Sequence, residues 1–158
     1  MLRFRDAAVT DPDAHRLLGE YFAERAAGFP PEQGEYRPTW PDEAQFTPPA
    51  GVFLVVEDEG GRAVGCGGVR RIQRSPDHRV RFEVKHLWLS PDGRGRGEGR
   101  RLLQELERRA AELGAEEVVL DTNASLEAAG GLYRSSGYVD IEPYNANPNA
   151  TNWFGKRL

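Results

Sequence analysis

Seven consecutive residues, Arg94-Gly95-Arg96-Gly97-Glu98-Gly99-Arg100, have the composition to hold an anion. They follow an apolar run, Val84, Leu87, Trp88 and Leu89, and a turn-forming cluster, Ser90-Pro91-Asp92-Gly93. They precede a helical stripe of Leu102, Leu103, Leu106, Ala110 and Leu113, closed by Gly114. The stretch therefore carries a strand into a helix. The first amides of a helix have no internal partner and point outward at the positive end of its dipole. Glycines let backbone approach a ligand, and arginines add forked, charged donors. Together these suit a phosphate or pyrophosphate, although a solvated loop rich in Gly and Arg has the same composition.

Two familiar phosphate loops are excluded. A P-loop needs Gly-Lys-Ser/Thr, and the chain has no such triplet; a dinucleotide fingerprint needs a third glycine where Arg100 stands. What remains is Arg94-x-x-Gly97-x-Gly99 after the strand Glu83-x-Lys85-x-Leu87-Trp88-Leu89. Further on come Val118-Val119-Leu120-Asp121-Thr122-Asn123 and then Leu132-Tyr133-Arg134-Ser135-Ser136-Gly137-Tyr138. In order and spacing these resemble the GCN5-related N-acetyltransferases, from about Gly51 to the C-terminus, and the tail Tyr144-Asn145-x-x-Pro148 is similar to one branch of that family.

The resemblance implies an acetyl-CoA-dependent transfer of an acetyl group to a primary amine by direct attack. It implies that Leu87, Trp88 and Leu89 pair with pantetheine through their backbone and that Asn123 contacts the cofactor arm. Arg94, Gly95, Arg96, Gly97, Glu98, Gly99 and Arg100 would hold the pyrophosphate. Glu83 would serve as base, directly or through water, and Tyr133 would protonate the departing thiolate. The alternatives are a non-catalytic CoA-binding or sensing domain of the same fold, and for Glu83 a solvated strand charge. No metal is needed for this chemistry.

The other reactive side chains read as structural. Cys66 has no activating neighbour and suits a small buried position. His15 and His78 read as surface residues, since nothing nearby completes a metal site. Tyr36 and Trp40, in a proline-rich segment from Phe29 to Pro49, either line a pocket or pin that loop to the core.

The elements that must position these residues follow from pattern. A short strand covers Leu2–Arg5; a helix begins after Thr10 or Asp11 with Pro12 in its first turn and buries Leu17, Leu18, Tyr21, Phe22 and Ala26. A short helix is expected near Asp42–Phe46. The strand Gly51–Val56, a turn at Glu57–Gly61 and the strand Ala63–Val69 make a hairpin. In the strand Arg81–Leu89, strict alternation puts Phe82, Val84, His86 and Trp88 on one face and Glu83, Lys85, Leu87 and Leu89 on the other, unless a bulge intervenes. A strand at Glu117–Leu120, a helix through Gly130 and Tyr133, a strand at Tyr138–Ile141 and a last strand at Trp153–Leu158 complete the chain. This order predicts one α/β domain over residues 1–158, with a mixed, mostly antiparallel sheet, helices on its faces and a cofactor core at about 81–138. The resemblance adds a V-shaped opening between two central strands.

Composition sets bounds. With 158 residues, 39% hydrophobic and 29% charged, the chain suits one globular domain. A net charge of −4 argues against a nucleic-acid partner, no apolar run argues for a membrane span, and Met1–Asp6 show no apolar leader. With one cysteine and no internal disulfide, a cytoplasmic setting is expected. The acidic balance and Glu32, Glu35 and Glu142 lean towards a cationic small-molecule acceptor over a protein; a homodimer is one open quaternary state.

Overall fold

The computed structural model describes residues 1–158 and keeps the expected order of elements. These are β1 (Arg3–Asp6), α1 (Pro12–Gly28), β2 (Gly51–Glu57), β3 (Ala63–Arg71), β4 (Arg81–Leu89), α2 (Glu98–Glu112), β5 (Glu117–Thr122), α3 (Glu127–Ser135), β6 (Val139–Asp140) and β7 (Asn152–Arg157), with short 3₁₀ turns at Pro31–Gln33, Glu43–Phe46 and Pro91–Gly93. Asp11 caps α1: its carboxylate accepts from the amides of Asp13 and Ala14 at 2.9 and 3.2 Å, and Pro12 needs no acceptor in the first turn.

All seven strands form one sheet in the order β1-β2-β3-β4-β5-β7-β6, antiparallel except for β4 against β5. One face packs on α1: Ala14, Leu17, Leu18 and Phe22 meet Phe53, Val55, Cys66 and Trp88. The other packs on α2 and α3: Leu102, Leu103, Leu106 and Tyr133 meet Val52, Leu54, Phe82 and Val84. At Gly68 a Cβ would lie 2.7 Å from the Phe46 ring, so this glycine admits Phe46 against the sheet. No helix is long and apolar enough to cross a membrane.

Three departures from pattern shape the site. First, α1 buries Arg25 at the position after Ala14, Leu17, Leu18, Tyr21 and Phe22, and leaves Ala26 exposed, against expectation. Second, His86 and Leu87 oppose the single residue Gly67: β3 and β4 pair as Gly68↔Lys85 and then Cys66↔Trp88. This bulge, with His86 at φ 59°, breaks the strict alternation. Phe82, Val84, Leu87 and Leu89 face α2, whereas His86 and Trp88 face α1, on the side of Glu83 and Lys85. Third, the parallel pairing of β4 with β5 covers only Arg81↔Glu117, Phe82↔Val118 and Glu83↔Val119, while β5 stays paired with β7 as far as Thr122.

Candidate active site

Beyond Glu83 the edge of β4 that faces β5 has no strand partner, and the two strands part. A cleft of about 540 Å³ opens there and passes between the faces of the sheet. Its lining includes Tyr21, Arg25, Lys85 and His86 from the α1 side and Leu120, Ala129 and Tyr133 from the other. Tyr36 and Trp40 do both things expected of them: they line the cleft and pin the loop, Trp40 stacked 4.7 Å from His15 and Tyr36 at 5.7 Å from Phe29. The far wall is the tail, fixed to that loop by Asn149, which accepts from the Arg37 amide at 3.0 Å and donates to the Arg37 carbonyl at 2.7 Å.

At one end of β4 lies the glycine-rich loop. None of the amides from Gly95 to Arg100 has an acceptor within the chain. Gly95 and Gly97 have φ of 85° and 75°, and a Cβ at either would point into open space, which leaves their backbone accessible. Six unpaired amides at the start of a fifteen-residue helix fit a pyrophosphate. The arginines divide. Arg94 donates to the Leu89 carbonyl at 2.8 Å and to Glu24 at 2.8 and 2.9 Å. Arg100 donates to Ser135 and Ser136. Arg96 is exposed and has no ion pair, so it is free to meet a ligand. Glu98 pairs with Arg101 at 2.5 Å. Leu87 lines the cleft, and the indole of Trp88 donates to Glu24 at 2.8 Å.

Asn123 is 1% exposed. Its side chain donates to Gln33 at 2.7 Å and to the Asn149 carbonyl at 3.1 Å, and accepts from the Ser125 amide at 3.0 Å. Its polar atoms are thus engaged in joining the end of β5 to the tail. Tyr133, 7% exposed, lines the cleft beside Leu120 and packs 6.0 Å from both Tyr138 and Phe154. Burial pushes its phenol well up, so the hydroxyl stays protonated.

Glu83, 1% exposed, does not line the cleft. Its carboxylate accepts from Arg70 at 2.9 and 3.0 Å and from the Tyr144 hydroxyl at 2.5 Å, with Lys85 at 4.0 Å. Lys85 is closer to Asp121, at 3.3 Å, and Asn145 and Asn147 donate to the same carboxylate at 2.7 and 3.2 Å. Burial pushes against ionisation of Asp121, but Lys85 and the two asparagines outweigh it and hold the group below its usual range. Burial, then the charges of Lys85 and Arg70, pulls the His86 imidazole down to about 3, so it is neutral at physiological pH. Cys66 is buried, its thiol donating to the His86 carbonyl at 3.4 Å. None of Glu32, Glu35 and Glu142 lines the cleft. Sequence reasoning passed over Arg25, Arg70, Lys85, Asp121 and Tyr144; the signal for Arg25 was a charge on the buried stripe of α1.

The profile of the acetyltransferase (GNAT) family matches residues 14–138. An uncharacterized N-acetyltransferase of Schizosaccharomyces pombe is 38% identical over 104 residues, 66% of this chain and 61% of that protein. The chain thus spans less than two thirds of the length of this curated relative. A solved structure from Klebsiella pneumoniae, assigned as an acyl-CoA N-acyltransferase, superposes with a TM-score of 0.76 at 27% identity, covering 100% of this chain and 98% of that one. A phosphinothricin acetyltransferase from Sinorhizobium meliloti, solved in complex with AcCoA, is similar in fold with a TM-score of 0.73 at 22% identity, covering 99% of this chain and 88% of that one.

Proposed function

Because this chain belongs to the acetyltransferase (GNAT) family, we propose that it moves an acetyl group from acetyl-CoA to a primary amine. The observation that carries this reading is the parting of β4 from β5 after Glu83, at the head of a loop with six unpaired amides. The amides of Gly95 to Arg100, with Arg96, would hold the pyrophosphate, and the open edge of β4 from Leu87 to Leu89 would pair with the pantetheine amides. Acetyl-CoA supplies the thioester.

The acceptor enters from the α1 side, between Arg25, Tyr36 and His86. A protonated amine cannot attack, so its proton must leave. Three groups are poor direct acceptors: His86 is already neutral with a low pKa, Asp121 is held by Lys85, and Glu83 does not touch the cleft. The proton therefore passes to water, and Glu83, behind Arg70 and Lys85, is its sink through a relay. An amide on the open edge of β4 near Leu89 stabilises charge on the carbonyl oxygen. Tyr133, protonated and on the cleft wall, donates to the departing sulfur.

The test has two arms. Acetyl-CoA at a hundred times its dissociation constant should stabilise the protein by about 2.7 kcal/mol, read as a rise in melting temperature. Thiol release should follow when amines are added. A melting temperature unmoved by millimolar acetyl-CoA overturns the cofactor assignment; stabilisation without thiol release from any amine would leave a CoA-binding domain and overturn the enzymatic one.

A further inference from the structure

The cleft holds three cations, and two are matched: Arg70 by Glu83 at 2.9 Å and Lys85 by Asp121 at 3.3 Å. Arg25 is not. It is 8% exposed, it makes no ion pair and no hydrogen bond, and its Nη1 is buried without a partner. Its guanidinium lies 5.1 Å from the Tyr36 ring centre, and it stands in the last turn of α1, where carbonyl dipoles favour positive charge. Those contacts hold the charge in place without satisfying its N–H groups, and a buried donor left unpaired is destabilising. A second such atom belongs to a neighbouring lining residue: Nδ1 of neutral His86 is buried without a partner, and His86 lines the cleft with Arg25. Of the three buried side-chain atoms without partners in the protein, these two belong to the cleft wall.

A guanidinium presents its N–H groups in a planar fork that matches a carboxylate. We propose that the acceptor is a small primary amine that also carries a carboxylate, and that Arg25 takes the carboxylate. The inference rests on the acetyl-transfer reading above and adds the second half of the acceptor. It replaces the cationic acceptor that the acidic composition suggested, because Glu32, Glu35 and Glu142 lie outside the cleft. Arg25 thereby becomes the residue that sets specificity, one wall across from Tyr133.

The experiment compares paired acceptors with and without the carboxylate, at a pH where rates are corrected for the free-amine fraction: amino acids against their α-carboxamides, and ω-amino acids against alkylamines of equal length. Thiol release is measured with the parent, Arg25→Lys and Arg25→Met. The acid of each productive pair should be preferred in kcat/KM by about tenfold to a hundredfold, the worth of a paired charge-assisted group. Arg25→Met should erase that preference, the acid losing about tenfold or more beyond any loss on its partner, and Arg25→Lys should keep part of it. The melting temperature of Arg25→Met should equal or exceed the parent's, since a buried, unpaired charge has gone. Equal rates for acid and amide, an equal loss on both in Arg25→Met, or lost affinity for CoA in that variant would each overturn the proposal. If acetyl-CoA binds but no amine releases thiol, the transfer reading fails by itself. The same acids are then titrated calorimetrically into the CoA-bound protein: binding lost in Arg25→Met supports the carboxylate site, and no binding to the parent ends it.

Discussion

Glu83→Gln separates a proton acceptor from a brace. The side chain is buried and receives Arg70 at 2.9 Å and Tyr144 at 2.5 Å. Glutamine keeps the volume and one accepting oxygen but not the charge. Breaking a buried ion pair from one side costs about 3–5 kcal/mol when the partner stays buried. Here the Arg70 side chain is 29% exposed and also reaches Gln45, so part of its charge can turn to water. The expected loss is about 1–3 kcal/mol, the range for a polar group deprived of its partner. For a domain of this size that is roughly 2–4 °C in melting temperature per kcal/mol. The brace alone predicts this loss with a pH–rate profile shaped like the parent's. A relay ending at Glu83 predicts, in addition, a fall in kcat of about 10²–10⁴ and a flattened acidic limb. Tyr144→Phe is the control: it removes the hydroxyl and keeps the carboxylate, so it should destabilise by about 1 kcal/mol and leave the acidic limb intact. The assay is thiol release across pH on the best acceptor, beside melting curves. A parent-like profile in Glu83→Gln would refute the relay and leave Glu83 as the counter-ion of Arg70.

The other expectations concern separate parts of the site. Tyr133→Phe should lower kcat less than Glu83→Gln does, with acetyl-CoA affinity nearly unchanged, because a thiolate of reference pKa near 8.5 needs little help to leave; a larger loss than Glu83→Gln would reverse the ranking. Gly99→Glu adds a Cβ at ordinary contact distance, 3.5 Å from Leu132, so calorimetry should find CoA binding abolished in a protein that still melts cooperatively; binding like the parent's would mean the loop does not hold the pyrophosphate. Gly97→Glu should add a folding loss of about 1 kcal/mol, because its φ of 75° strains any side chain. His86 binds its proton less readily folded than unfolded, its folded value being near 3 against 6.5, so stability is full above pH 6.5 and declines as pH falls towards 3. The decline should reach about 2 kcal/mol by pH 5. His86→Asn, which suits φ 59° and does not titrate, should remove it in denaturant melts; an unchanged slope between pH 6.5 and 5 would contradict a buried neutral His86.

The chain has the GNAT acyl-CoA N-acyltransferase fold, and most of its elements were legible because each is locally self-consistent. The stripe of α2, the caps at Asp11 and Gly114, and the turns at Asp58–Gly61 and Ser90–Gly93 act over a few residues, so pattern finds them. The glycine loop was legible for the same reason. What escaped depends on distant partners. Asp121, on β5, is held by Lys85 from β4 and by Asn145 and Asn147 from the tail, 24 and 26 residues later. Asn123 carries the right residue type for a cofactor contact, yet its side chain is spent on Gln33 and Asn149, 90 and 26 residues away. Arg25 escaped because a stripe is read by its apolar members, and the pattern places Ala26 on it while the structure buries Arg25.

The bulge at His86 explains how one strand serves both halves of the cleft. With strict alternation, Leu87 would share a face with Glu83 and Lys85, and His86 would point into the α2 core among Phe82 and Val84. One extra residue opposite Gly67 reverses this. Up to Lys85, β4 turns its polar side chains towards α1; after the bulge it turns His86 and Trp88 there, and Leu87 and Leu89 towards α2. Of these, Lys85 and His86 line the cleft from the α1 side, and Val84 and Leu87 line it from the other. A bulge also increases local twist. The last pair with β5 is Glu83↔Val119, three residues before His86, and β5 stays paired with β7 as far as Thr122. The edge of β4 left unpaired beyond Glu83 opens onto the cleft, between Arg25 on one face of the sheet and Tyr133 on the other.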